Sequence, residues 1–389
     1  MTPELARTFA DARRLFPHTQ HSVYFNSASY GPFATTVQRA IDDNIALRLD
    51  CRQDDSHDAF STADQLRADY AALIRAESRQ VGIGLNTTHG LNVAMFGLPM
   101  SPGDEILMCD IEFPAIAYVA RAAAERRNLS IKVIPSTDRR VDSAAIERAI
   151  GPRSRMLAIS WVQFFNGYKY DLAELAGLCR KHNLYFVVDG IQGMGTEPID
   201  VRALGIDVFS SGCQKWMLAP QGCGFFYIAD RVFDSIKPPF MSWLGVDWGM
   251  NFSDLFYFDK PYHQAARKFE LGYYVVLNLM GMKAAVEIFK SLGIANIQRH
   301  NYELIDRLAA WLKEHSFYRI TSSLEPKHRS SILTFTCDDF ATLQKRLVKD
   351  GIVLVHREGS IRVSVHLFND DSDIDRLIDR LDAFARGAW

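Results

Sequence analysis

Lys215 stands in the stretch SSGCQKWMLAPQGCGFFYI (residues 210–228), among small and apolar residues. Most lysines lie on a wet surface. One that is desolvated gives up its proton more readily and can attack a carbonyl carbon. Asp189 comes 26 residues earlier (215 − 189 = 26) and ends the apolar run LYFVVDG. Thr88 and His89 belong to TTHG, between the run QVGIGLN and the helical pattern LNVAMFG. Hydroxyls and free N–H groups at a helix start form an anion site. Each feature alone has an ordinary reading: a lysine that snorkels to solvent, an Asp-Gly turn, a helix cap by Thr87 or Thr88.

Their position along the chain gives them a common place. From about residue 80, short apolar runs alternate with helical patterns such as Pro114–Arg127 and 171–182, the second opened by Asp171 as N-cap with Glu174 three residues on. The runs QVGIGLN, DEILMCD, SIKVIP, RMLAISWV, LYFVVDG and GCGFFYIA read as strands buried on both faces of a mostly parallel sheet. The pattern predicts an open, doubly wound α/β domain. In such sheets ligands collect at the carboxyl ends of the strands, where TTHG and Asp189 fall. After residue 269 come two long helices, then strands SILTFT, IVLVHR and IRVSVH with helices over 339–350 and 371–385, a second and smaller α/β unit. The expected organisation is an N-terminal helical segment (1–20), a large domain (21–275) and a small C-terminal domain (276–389). Residues 231–265 are aromatic and irregular, and a loop of that length is more often functional than spare.

Composition narrows the classes. A net charge of −2 offers no basic tail for nucleic acid, and no apolar run approaches a membrane span. The six scattered cysteines form no CxxC pair or metal-spaced cluster, so a cytoplasmic protein with reduced thiols and no metal is expected. No GxGxxG follows a strand and no GxxxxGK[ST] occurs, which argues against nicotinamide, flavin and P-loop chemistry. Pyridoxal 5'-phosphate, by contrast, needs the three features together. A lysine forms its Schiff base, a carboxylate keeps its ring nitrogen protonated so that the ring serves as an electron sink, and a helix N-terminus holds its phosphate.

On these motifs the chain resembles the class V aminotransferase group of fold-type I pyridoxal-phosphate enzymes, which includes cysteine desulfurases, kynureninases and isopenicillin N epimerase-like proteins. The resemblance runs from VYFNSASYGPF at Val23 to the final helix, and IDVFSSGCQKWMLAPQGCGFF is its most specific part. It implies a large domain with a seven-stranded, mostly parallel sheet plus a smaller C-terminal α/β domain. Lys215 would carry the cofactor and later shuttle protons at the substrate carbon. Asp189 would pair with the ring nitrogen and Gln192 with the ring's phenolic oxygen. Thr88 and the backbone of His89 would hold phosphate, with Ser211 a weaker candidate, offset by one from the usual serine. Gln214 stands where many relatives have histidine and still donates a hydrogen bond. Phe113, in DIEFPAI, would stack on the ring, a task that needs only a flat apolar face. Arg362, in GSIRVSVHLFND, would bind the substrate carboxylate through its planar guanidinium. Asn26, Ser29 and Arg357 are secondary substrate-side candidates, and His356 and His366 read as structural.

Two departures bear on the reaction. Tyr273 replaces a threonine that in relatives reaches the partner subunit's phosphate. The segment VHREGSI before Arg362 is short and has no cysteine, whereas desulfurases carry one there to take up sulfur; Cys337 reads as structural. The expected enzyme binds an amino acid and removes its α-proton with Lys215. Transamination is the first outcome expected, with C–S (β-) lysis without a loop thiol and epimerisation as alternatives and a non-catalytic binding protein as a remote one. The group implies a homodimer. Trp243, Trp248, Phe256 and Tyr257 are expected either beside the substrate or in interface packing.

Overall fold

The computed structural model describes residues 7–52 and 55–389. The central sheet has seven strands in the spatial order Val81–Gly84, Gly224–Ile228, Val208–Gly212, Tyr185–Asp189, Ser154–Ser160, Glu105–Cys109, Ser130–Ile134. Gly224–Ile228 is antiparallel to both neighbours and all other pairings are parallel. Six of the strands coincide with the apolar runs of the sequence. The seventh, Val208–Gly212, escapes an apolar-run criterion because it reads VFSSG. Its serines are nonetheless fully buried, since Ser210 Oγ donates to the Thr87 carbonyl (2.8 Å) and Ser211 Oγ to that of Gly212 (3.0 Å). At the other edge, only Ile134 of Ser130–Ile134 is buried, with Lys132 and Val133 exposed, so it is not a doubly buried strand.

Helices cover the sheet. Leu172–Lys181 starts where Asp171 Oδ1 accepts from the N–H groups of Ala173 and Glu174, as the sequence predicts. The helix at TTHG starts one residue earlier than expected: its cap is Asn86, whose side chain accepts from His89 N (3.1 Å). This frees Thr87 Oγ1 to accept from Gly212 N (2.9 Å), which ties the helix start to the strand that leads into Lys215. At the N-terminus, Phe9–Arg14 and a 3-10 turn, Pro17–Gln20, are helical; residues 1–6 of the expected helical segment lie outside the described residues.

A second core is built on a four-stranded antiparallel sheet, in the order Val355–Arg357, Ser360–Ser364, Ile332–Thr336, Arg319–Ile320. Alternation gives it two faces. Leu333, Phe335, Ile361 and Val363 pack with Leu308, Leu347 and Leu377 of three helices. Ser360, Arg362 and Ser364 lie on the other face, buried but polar. Residues 23–26 ride on this unit: Val23 pairs with Ile352, Phe25 enters its core, and Asn26 bridges to Ser364. The helix Val276–Leu292 instead lends Leu279, Met282 and Phe289 to the large core.

A buried carboxylate clamps the two cores. Glu197 accepts from Lys169 Nζ (2.7 Å), Gln298 Nε2 (2.6 Å) and the Tyr302 hydroxyl (2.9 Å). Gln298 and Tyr302 sit on Ile294–Glu314, the helix that also carries Leu304 and Leu308 of the smaller core. Replacing one partner of such a pair strands the other charge, so Glu197→Ala should lower stability by about 3 kcal/mol. Urea denaturation followed by tryptophan fluorescence measures this, and an unchanged midpoint would show that the clamp contributes nothing.

Candidate active site

The strand ends and loops bring three charged groups into one cleft without pairing them conventionally. Asp189 closes its strand and is 3% exposed. Its Oδ1 accepts from Ile191 N (2.9 Å), the turn bond expected of an Asp-Gly corner. Burial pushes its pKa up to about 6, against the pull of that N–H and of Lys215. Lys215 lies beyond the neighbouring strand, and its amine makes no hydrogen bond or ion pair among the described residues. Its pKa is pulled down to about 8, chiefly by burial; Asp189 opposes the shift, while Arg362 and Arg357 add to it. Arg362 is 2% exposed and faces no carboxylate among the described residues. It donates to Ser29 Oγ (2.6 Å), at 3.5 Å to Asn26 Oδ1, and to the Phe164 carbonyl, while its Nε has no partner. Burial and then Arg357 bring its pKa down to about 9. A buried guanidinium with an idle N–H and no anion is built to receive one.

The flanking groups are neutral. The Phe113 ring is 40% exposed, stands edge-on to Phe164 (5.2 Å between centroids), and its centroid lies 5.4 Å from Lys215 Nζ. It occupies the N-cap of Pro114–Arg127, so Pro114 fixes the chain direction just after it. Gln192 is held at both ends: its Nε2 donates to the Ala28 carbonyl (3.0 Å) and its Oε1 accepts from Trp216 Nε1 (2.8 Å). One N–H of that amide remains for a ligand oxygen. Gln214 Oε1 is buried without a partner.

Not every residue picked from the sequence keeps its expected task. The N–H of His89, expected at the phosphate, is instead taken by the Asn86 cap. Its ring Nε2 lies 3.0 Å from the Phe269 carbonyl and its Nδ1 accepts from Leu85 N (3.4 Å). Ser211 is fully buried with its hydroxyl spent on Gly212. Thr88 stays half-buried at the helix start, and its hydroxyl has no partner among the described residues. His366 is structural as expected, since Nε2 meets the Trp216 carbonyl at 2.7 Å and burial drops its pKa to about 3. Arg357 is exposed on the hairpin beside Arg362, and among the described residues it bonds to the His356 carbonyl (2.9 Å).

Three contributors have supporting roles that the motif reading did not assign to them. The segment 26–31, NSASYG, crosses the cleft: Ala28 N donates to Ser364 Oγ (3.1 Å) and Gly31 N to the Gln214 carbonyl (2.8 Å). A Cβ on Gly31 would lie 2.3 Å from the Lys215 carbonyl, so only glycine lets the two chains approach this closely. Trp216 is the second, through its bond to Gln192. Glu112 is the third: it takes Ser160 N (3.1 Å), Ser160 Oγ and Gln163 Nε2 (3.1 Å), which fixes the turn that presents Phe113. Burial lifts its pKa to about 7, with Asp189 adding to the rise against those hydrogen bonds.

These groups fit pyridoxal phosphate: a free amine for its aldehyde, a buried carboxylate for its ring nitrogen, a spare amide N–H, a flat ring and an open hydroxyl at a helix start. Among the described residues no group of His, Cys, Asp and Glu could hold a metal ion, and no helix is long and apolar enough to cross a membrane.

The arrangement has a stability signature. A carboxylate whose folded pKa lies above its unfolded value is penalised once both states are ionised, here above about pH 6, and not below about pH 4, where both are protonated. Asp189→Asn, which keeps the acceptor for Ile191 N, should therefore stabilise the ligand-free protein by about 2–3 kcal/mol at pH 8. The gain should vanish at pH 4. Urea midpoints at the two pH values measure it, and an equal effect at both would refute the assignment.

Comparison with known proteins agrees with the geometry. The family described as "Aminotransferase class-V" matches residues 52–377. An "Uncharacterized aminotransferase YcbU" of Bacillus subtilis (strain 168) is 24% identical over 371 residues, 95% of this chain and 96% of that protein. A "Probable cysteine desulfurase" of Methanothermobacter thermautotrophicus is 24% identical over 402 aligned residues, covering 96% of this chain and 98% of that one. The solved complex of the cystine C–S lyase C-DES with cysteine persulfide superposes with a TM-score of 0.86 at 24% identity, over 94% of this chain and 98% of that one. With the family match spanning most of the chain, and Lys215, Asp189 and the helix start gathered at one sheet edge, this is a pyridoxal-phosphate-dependent enzyme of the class V aminotransferase family.

Proposed function

We propose that the protein acts on an α-amino acid, with Lys215 as the base that removes the α-proton and transamination as the outcome. One observation supports this most: Arg362, buried and without a carboxylate, shares a cleft with a desolvated lysine. Arg362, helped by Ser29 and Asn26, would receive the α-carboxylate and so orient the α-carbon. Pyridoxal phosphate supplies the electron sink that makes that carbon acidic. Asp189 would hold the proton on the ring nitrogen, and Gln192 and Thr88 would fix the ring oxygen and phosphate. Phe113 would cover the ring and exclude water. A lysine with a pKa near 8 can take a proton as a neutral amine and return it as an ammonium at neutral pH. For transamination the lysine would carry the proton away and not return it to the α-carbon.

C–S lysis is the second reading. The hairpin before Arg362 turns at Glu358 and Gly359 and contains no cysteine, and Cys337 is buried with its thiol pushed up by burial. That argues against a loop persulfide and leaves a lyase that releases its product, a chemistry like that named for the cystine lyase of the same fold. A homodimer is part of this proposal. Phe256 (92% exposed), Phe258 (88%) and Tyr257 form more apolar surface than a monomer usually leaves wet. Trp248, by contrast, is buried against Phe60 and Phe252, and Trp243 stacks on Tyr273.

Protein reconstituted with pyridoxal phosphate should show a visible band that borohydride abolishes and Lys215→Ala lacks. Mixed with a panel of amino acids, it should accumulate the pyridoxamine form. Pyruvate or sulfide would move the assignment to lysis, and a protein that never takes up the cofactor would sink both. Sedimentation equilibrium should give twice the chain mass, with Phe256→Glu/Phe258→Glu shifting it toward the monomer; a wild-type monomer would refute the dimer.

A further inference from the structure

Phe113 and Phe164 meet ring to ring, and the turns that carry them brace one another. Phe113 follows Glu112, and Phe164 follows Gln163. Glu112 and Gln163 are both buried, and Gln163 Nε2 donates to Glu112 Oε1 (3.1 Å). The Phe164 ring stands edge-on to Phe113, with 5.2 Å between centroids and 76° between planes, a favoured aromatic geometry. The pairs 112–113 and 163–164 are thus clasped at two points, one polar and buried, the other apolar.

Phe164 is also held within its own segment. Residues 162–169 close on themselves: Val162 bridges Lys169, Gln163 N donates to the Tyr168 carbonyl (2.8 Å), and Gly167 N donates to the Gln163 carbonyl (3.0 Å). Ser330 Oγ of the smaller unit donates to the Gly167 carbonyl (2.7 Å). Buried Phe165 packs edge-on against the Phe164 ring at 5.5 Å between centroids. Phe164 itself stays half-buried, so a large apolar ring is left partly wet on a rigid mount.

Its contacts give the ring its place. The Phe164 carbonyl accepts from Arg362 Nη1, where the α-carboxylate would bind. Its ring meets Phe113, which lies 5.4 Å from Lys215 Nζ and would cover the pyridoxal ring. The α-carbon belongs between carboxylate and pyridoxal ring, so Phe164 borders the groups attached to it. A phenyl ring offers no hydrogen bond and no charge. An apolar side chain resting on it leaves water at a gain, whereas a charged one loses hydration and finds no partner there. We propose that Phe164 is a specificity-determining residue, and that the substrate is an α-amino acid whose uncharged, apolar side chain packs against the Phe113–Phe164 pair. This deepens the function proposed above and rests on it.

The holoenzyme and its visible band provide the test. L-Methionine and L-leucine would be titrated beside L-alanine, whose side chain is too short to cover the phenyl ring, and beside L-aspartate. At least one of the two apolar amino acids should perturb the band at a concentration about tenfold lower than L-alanine, the size of a small apolar contact. L-Aspartate should bind no tighter than L-alanine. Phe164→Ala removes the ring but keeps the backbone carbonyl that meets Arg362. It should weaken the apolar amino acid about tenfold and L-alanine by less than about threefold. Phe164→Leu should retain most of the preference. If Phe164→Ala fails to take up the cofactor, Phe164→Gln, of similar reach but polar, should show the same loss of preference. L-Alanine or L-aspartate binding as tightly as both apolar amino acids in the wild type would overturn the proposal, as would a preference that survives removal of the ring. If no amino acid perturbs the band, the proposed function fails and the role of Phe164 with it. Amino acids that bind without the preference overturn Phe164 alone.

Discussion

Three charged side chains, Lys215, Asp189 and Arg362, are withdrawn from water around one cleft, and none has a conventional ion-pair partner among the described residues. This desolvation is the constraint that the surrounding structure has to sustain. Each group shifts in the direction that burial dictates: the lysine to about 8, the aspartate to about 6, the arginine to about 9. In the ligand-free protein this is stored as lost stability. In exchange, a fraction of the amine is already neutral near physiological pH, the carboxylate seeks a protonated ring nitrogen, and the guanidinium seeks a carboxylate. The same arrangement would be pointless in water, where all three would be solvated at their ordinary values.

Holding charges in such a place takes a rigid frame, and the frame is polar stitching rather than further apolar packing. The lysine and the arginine come from different cores, so their relation depends on what crosses between them. Segment 26–31 does this with small residues, reaching Gln192, Gln214, Arg362 and Ser364 through Ala28, Gly31 and Ser29. Trp216 does it a second time, with its indole on Gln192 and its carbonyl on His366, two residues past the strand of Arg362. The Glu197 clamp does it a third time, away from the cleft. Neutral histidines suit this work: His366 and His89 spend their nitrogens on backbone partners, and burial lowers the pKa of each.

The sequence made the sheet legible wherever a strand is uniformly apolar, because burial on both faces leaves no other pattern. It hid Val208–Gly212 because two serines there are satisfied by backbone carbonyls, and hydroxyls paired in that way cost little to bury. The chemistry-bearing residues were legible because a lysine, an aspartate and a hydroxyl-rich helix start are out of place individually and fit one cofactor together. Their supports were not. Ala28, Gly31, Trp216 and Glu112 are ordinary residues whose roles exist only through partners far away in the chain. The helix cap shows the same limit at short range: Asn86, Thr87 and Thr88 are all acceptable cap residues by type, Asn being somewhat preferred. The bond from Gly212 N to Thr87 Oγ1, which the sequence does not show, adds to that preference by engaging the threonine elsewhere.

The identity of the neutral groups constrains the chemistry as much as the charged ones do. Phe113 and Phe164 carry no exchangeable proton, and Gln192 and Gln214 are amides. Glu112 is occupied by Ser160 and Gln163. His89 and His366 are bound to backbone carbonyls. On the function proposed above, the proton traffic among these residues would therefore fall to Lys215. Transamination and C–S cleavage each need one carrier on one side of the substrate, whereas an epimerisation run by two bases needs a second carrier opposite the first. Phe113 beside the amine fits the former pair. Within that pair the cofactor-side residues are indifferent, because both reactions begin with loss of the same α-proton. What separates them is the group on the next carbon of the substrate.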